Sequence, residues 1–176
     1  MRQPVCTRSS IPCLMPVMAF VLVSAVGCGS EIGDSCTVSN DCSNDGDRIC
    51  LRSGEDGMPG GYCTIRGCDF DTCPDEAVCV RFFAVGESDK SCNPKTEDST
   101  EDACAPEEFC TLAGSCVPRT AEIRYCMRKC GGNGDCRDEY ECRDKGLMLA
   151  HGGEPVASPD RLPDDDPQPF CAVAPL

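Results

Sequence analysis

The chain has 176 residues, 30 acidic against 16 basic, giving a net charge of −14 at neutral pH, and it holds 19 cysteines and no tryptophan. That charge excludes nucleic acid as a partner, because phosphates are repelled by such a surface. The cysteine density points to an oxidising compartment.

Residues 1–27 read as a signal peptide. Arg2 and Arg8 precede an apolar run from Ile11 to Val26, broken by Pro12, Pro16 and Ser24. The run is shorter than the roughly 20 apolar residues of a membrane-spanning helix and carries two prolines. It ends in Ser24-Ala25-Val26-Gly27-Cys28, which resembles a bacterial lipobox, although Ala25 stands where Leu, Val or Ile is commoner. That resemblance implies cleavage before Cys28 and acylation of its sulfur, anchoring the chain in a membrane through acyl chains on Cys28. Ala25 and Gly27 also fit the small-x-small site of ordinary signal peptidase, which would release a soluble chain. Parity favours lipidation: without Cys6 and Cys13, 17 cysteines remain, and setting Cys28 aside leaves 16 for eight disulfides. Gly29 and Ser30 after Cys28 resemble the pattern of outer-membrane sorting, so the expected location is the bacterial cell envelope, lipid-anchored in the outer membrane.

Beyond Cys28, 14 basic residues face 30 acidic ones, a net charge near −16, and only 22 of 148 residues are Leu, Ile, Val or Phe. Such a composition alone would predict disorder. Cross-links replace the missing core, since each disulfide closing a loop of about 15 residues restricts the unfolded chain by roughly 3 kcal/mol. The expected fold is therefore a small disulfide-rich protein of tandem short β-hairpin and loop units, with little helix and little hydrophobic core.

After a lipidated tether at 28–35, the spacing C-x(4,5)-C-x(5,7)-C-x(9 to 28)-C occurs four times. The units are Cys36, Cys42, Cys50 and Cys63; Cys68, Cys73, Cys79 and Cys92; Cys104, Cys110, Cys116 and Cys126; and Cys130, Cys136, Cys142 and Cys171. Two disulfides per unit are expected. A longer period lies above this one: Tyr62-Cys63 through Cys68 recurs as Tyr125-Cys126 through Cys130, and the Asp75-Glu76 pair between cysteines recurs as Asp138-Glu139. The expected organisation is a first half at 36–92, a polar linker at 93–103 and a second half at 104–176 with a Pro/Asp-rich tail.

Within these units, Val78 to Val85 is the best strand candidate, and Gly60-Gly61-Tyr62-Cys63 suggests a turn into a short strand. Glu107 to Leu112 and Asp138 to Asp144 could each form a helical turn or two. Gly152 to Pro169 reads as irregular, with Phe170 and Cys171 pinning its end to the fourth unit.

Candidate chemistry is thin, and no catalytic residue, cofactor or metal site is assigned. Cys126 and Cys130 have the spacing of a zinc pair, but an exported chain favours disulfides. Asp41, Ser43, Asp45, Gly46 and Asp47 match the start of an EF-hand loop, yet Arg52 occupies the position of the bidentate Glu, leaving only a weak carboxylate site around Asp41, Asp45 and Asp47. The single histidine, His151, lies beside Gly152 and Gly153 in a loop-like region. Acidic pairs such as Glu107 and Glu108 read as a solvated face, and the basic patch at Arg124, Arg128 and Lys129 reads as paired within the molecule.

Taken whole, the mature chain resembles the cysteine-rich surface lipoproteins of some Gram-negative bacteria, in which C-x5-C-x5-C clusters repeat behind a lipobox. Its units distantly resemble EGF-like and Dickkopf-type modules. The EGF-like resemblance implies first-to-third and second-to-fourth pairing within each unit; four cysteines allow three connectivities, and spacing alone does not choose. The resemblance implies a non-enzymatic binding or structural scaffold acting on an unknown protein or surface polymer. The alternative is a disulfide-stapled inhibitor of a protease or other secreted enzyme, presenting Arg52 to Tyr62 or Arg81 to Ser91.

Overall fold

The computed structural model describes residues 30–55, 57–83, 90–96, 101, 103–158 and 166–175. Residues 1–27, expected as a leader, and Cys28 lie outside them. All 16 described cysteines are joined, in eight disulfides.

One building rule repeats four times. An antiparallel strand pair places two cysteines directly opposite each other, and neither bonds its neighbour. Each reaches back to one of two cysteines that precede the hairpin, at Cα separations of 5.4 to 5.9 Å that suit a disulfide. Strands β1 (Ile49–Leu51) and β2 (Tyr62–Thr64) oppose Cys50 and Cys63. Strands β3 (Ala77–Phe83) and β6 (Glu122–Arg128) oppose Cys79 and Cys126. Between them, β4 (Glu108–Cys110) and β5 (Cys116–Pro118) oppose Cys110 and Cys116. Finally, β7 (Tyr140–Arg143) and β9 (Phe170–Val173) oppose Cys142 and Cys171.

The first and fourth sets have the expected members, paired Cys36–Cys50 with Cys42–Cys63, and Cys130–Cys142 with Cys136–Cys171. The middle two do not. Cys68–Cys79 is completed by Cys73–Cys126, and Cys104–Cys116 by Cys92–Cys110. First-to-third and second-to-fourth pairing thus holds in all four sets, but Cys92 and Cys126 exchange places. A complete four-cysteine unit, Cys92 to Cys116, is inserted in the hairpin loop of another. The physical cause is the seven-pair β3–β6 ladder, which brings Cys126 opposite Cys79 and within reach of Cys73. Consequently the expected linker 93–103 falls inside the loop closed by Cys92–Cys110, and the two expected halves are tied together by two disulfides and the longest ladder.

Local polar contacts set the first and fourth units. Three residues after the first cysteine, Ser39 and Asn133 accept the amide of the third cysteine, Cys50 at 3.2 Å and Cys142 at 2.8 Å. Two residues further on, Asp41 accepts the amides of Thr37 and Val38 at 2.7 and 3.0 Å, and Asp135 accepts that of Gly131 at 2.8 Å. These side chains close the turn that holds the first cysteine.

Both expected helical turns are strands. Glu107 to Leu112 contains β4, and Asp138 to Asp144 contains β7. Cross-strand cysteine pairing overrides local propensity there, and Glu139 has φ +70°, which no helix accepts. The one α-helix among the described residues, α1 (Lys145–His151), follows instead, with Asp144 capping Leu147 N at 2.9 Å and Gly152 ending it at φ +76°. Strand β8 (Glu154–Pro155) then joins β3. The expected strand at 78–85 is present as β3 up to Phe83, with 84 and 85 outside the described residues; the turn into Tyr62 leads into β2, and Cys171 does pin the tail to Cys136.

A small core lies where the units meet. Ile32, Tyr62, Val80, Met127 and Phe170 are fully buried. Tyr62 stacks on Tyr140 with ring centroids 5.5 Å apart, and the Arg137 guanidinium lies 4.6 Å over Tyr140 while donating to Gly61 O at 2.6 Å. The buried Tyr62 hydroxyl accepts the Arg128 amide at 2.9 Å, and desolvation pushes its pKa up to about 12.

Candidate functional site

The best-formed concavity lies between the inserted unit and α1, with a volume of about 290 Å³. Phe82 and Phe83 at the end of β3 form its floor, Leu112 and Val117 of the inserted unit one wall, and Met148 with Leu149 of α1 the other. Leu149 is half exposed, while Met148 is buried against the core.

Each wall is fixed by a specific contact. Phe82 meets Phe170 edge-on at 6.2 Å, and Phe83 stacks on Phe109 of β4 at 6.0 Å. Gly153 lies so close to this floor that a Cβ there would fall 2.7 Å from Phe82 Cε1 and 3.1 Å from Phe170 Cζ, so only glycine fits. Arg143 closes the helix end, donating to the carbonyls of His151 and Gly152 at 3.0 and 2.8 Å and to Val173 O at 2.8 Å.

Beneath the cleft sits a buried ion pair. Arg81 Nε donates to Glu154 Oε1 at 2.8 Å, the Leu112 amide donates to Glu154 Oε2, and the Arg81 guanidinium lies 3.5 Å over the Phe109 ring. Burial pushes the Glu154 carboxyl up and the Arg81 guanidinium down, with their mutual attraction opposing both. Both groups are spent on each other and on the insertion's backbone, so they fasten the inserted unit to β3 and β8. This pair was not visible in the sequence, where its members stand 73 residues apart.

His151 stands at the rim. Its Nδ1 is 2.7 Å from Glu141 Oε1, which also accepts from Arg143 Nε at 2.8 Å. Desolvation raises the Glu141 carboxyl, but its bonds to His151 and Arg143 outweigh that and leave its pKa lowered. Aromatic rings, aliphatic side chains and an imidazole at the edge thus line a cleft of mixed apolar and polar surface.

The remaining sequence candidates fall elsewhere. Cys126 and Cys130 bond Cys73 and Cys142, so their sulfurs are not thiolate ligands. Asp41, Asp45 and Asp47 do not converge: Asp41 caps its own turn, and Asp47 accepts from Ser43 Oγ, whose oxygen also takes the Asp45 amide. The basic patch is paired, Arg124 with Glu122 and Asp69 at 2.5 and 2.9 Å, Arg128 with Glu31 at 3.1 Å, and Lys129 Nζ with Asp75 O at 3.0 Å. Of the acidic pairs, Glu107, Asp138 and Glu139 are exposed, whereas Glu108 is partly covered and binds Lys90 at 3.2 Å. The loop after Arg52 is exposed at its near end between Cys50 and Cys63. Arg81 is not on a loop; it belongs to β3 and the buried pair. Cys28 lies outside the described residues. No family model, curated protein or solved structure matches the chain.

Proposed function

We propose that the protein is a lipid-anchored, disulfide-stabilised scaffold of the bacterial envelope, non-catalytic, binding a partner or serving a structural role outside the cytoplasm. The observation that supports it is the complete pairing of Cys36 through Cys171. Sixteen cysteines form eight disulfides, and of the 17 that follow the leader only Cys28 is left over. Eight cross-links require an oxidising compartment, and a leftover thiol there would be reactive unless modified. The lipobox-like residues before Cys28 supply that modification. A binding role is supported by the cleft, beside which the Arg81–Glu154 and Arg143–Glu141 pairs are both used to hold its walls in place. Intact mass of the membrane-extracted protein, thiols blocked before and after reduction, tests the proposal. The expected result is a chain starting at Cys28 with acyl groups and 16 sites labelled only after reduction; an unacylated chain, or labelling before reduction, refutes it.

The exposed loop that starts at Arg52, closed at each end by a disulfide-bonded cysteine, favours a second reading as an inhibitor. Stoichiometric inhibition in a protease panel, lost on reduction and on Arg52→Ala substitution, would replace the scaffold reading.

A further inference from the structure

The expected tether is not free. From Ser30 onward it is built into the fold: Ser30 Oγ donates to Asp41 O at 2.6 Å, and Arg48 donates to Ser30 O. Ile32 is 0% exposed and its amide donates to Glu76 Oε1 at 3.3 Å. Gly33 N donates to Cys63 O and Cys63 N to Asp34 O, each at 2.9 Å, so a turn at 32–33 is tied to β2 by two backbone bonds. Glu31 pairs with Arg128 across to β6.

Only Gly29 separates Cys28 from Ser30, so the Cα of Cys28 lies within about 7 Å of the locked Ser30. Ser30 itself is held against Asp41 in the turn that carries Val38. The segment that follows Ser30 adjoins the Ala77 and Arg128 end of the β3–β6 ladder, through Ile32 to Glu76 and Glu31 to Arg128, and Ser30 links it to the turn through Asp41 O. The inserted unit leaves at the opposite end, where Phe83 faces Glu122. Seven residues of strand separate the two ends by roughly 20 Å.

We infer that the chain docks on its membrane in one orientation, with the Val38–Asp41 turn against the lipid headgroups and the inserted Cys92–Cys116 unit held outward. The inference rests on the lipid-anchor reading above. Val38 is 53% exposed on this turn, an apolar side chain that the headgroup region would cover. The bilayer is reached by the acyl chains and this turn, and the ladder serves as a short rigid mast.

Because the chain has no tryptophan, single reporters are clean. The full-length variants Val38→Trp and Ala113→Trp, both at exposed positions, are expressed with their leader, checked for acylation by intact mass, and reconstituted into phosphatidylethanolamine and phosphatidylglycerol vesicles containing a headgroup spin-labelled lipid. The expected result is quenching several-fold stronger for Val38→Trp than for Ala113→Trp, and a difference that vanishes when a flexible Gly/Ser spacer follows Gly29. Equal quenching in acylated protein overturns the orientation and leaves the anchor standing. A difference that survives the spacer overturns the short-anchor argument, and a mass without acyl groups defeats the anchor and the orientation together.

Discussion

Removing the Cys73–Cys126 bridge by the paired substitution Cys73→Ala, Cys126→Ala separates the nested arrangement from a linear one. Its sequence separation is 53, the longest of the eight. Chain-entropy reasoning gives a loop of that size a stabilisation of about 4 kcal/mol. The Cys92–Cys110 bridge shortcuts the loop to roughly 36 residues, but the dependence is logarithmic and the figure changes by only a few tenths of a kcal/mol. For Cys104–Cys116, with a separation of 12, the same reasoning gives about 3 kcal/mol. In urea without reductant, the first double variant should lose about 1 kcal/mol more than the second. Thiol labelling of the folded double variant is the sharper readout. In the nested arrangement both removed sulfurs belong to one bridge, and the number of labelled thiols stays that of the parent. Two newly labelled thiols, on Cys92 and Cys110, would refute the nested pairing.

Other perturbations have directions worked from the same contacts. Gly153→Ala places a Cβ against Phe82 at a backbone angle of φ +78° and should destabilise by about 1 to 3 kcal/mol in chemical denaturation. Ile32→Ala empties a fully buried site and should cost about 3 kcal/mol, with faster proteolysis of the chain before Cys36 as a second measure. The amides of Thr37 and Val38 hold the Asp41 carboxyl below its ordinary range. Its stabilisation is therefore present above the unfolded value near pH 4 and is lost as pH falls through the lower folded value, so Asp41→Ala and parent should differ in thermal midpoint at neutral pH and converge as the pH falls through that folded value.

Much of this fold was readable because cysteines set it. The repeat of Tyr62-Cys63 as Tyr125-Cys126 marks the fourth cysteine of two units, and the recurrence of Asp75-Glu76 as Asp138-Glu139 marks the stretch between second and third. The regrouping of Cys92 and Cys126 also had a signal: the last gap of the pattern was its most variable, and the segment between third and fourth cysteines is a hairpin loop, which tolerates insertion. Propensity misled where Glu108 and Glu141 lie in strands, because disulfides and cross-strand partners set the backbone there. Helix α1 was missed although Asp144 before it and Gly152 after it are ordinary boundary residues. The cleft was not legible at all, since Phe82, Leu112 and Met148 come together only through the insertion and the Arg81–Glu154 pair.

On the proposed export route, the nesting of one unit in another also bears on the order in which the chain acquires its bonds. Cys73 emerges 53 residues ahead of its partner, while Cys79 and Cys92 arrive first and can be oxidised with it. The first and last units close with sulfurs that follow within 12 to 35 positions and need no waiting. Thiol exchange must then undo any early bridge on Cys73 before Cys126 can take its place. Correct maturation of this protein should depend on a disulfide isomerase, and loss of that enzyme should leave mispaired species trapped at Cys73.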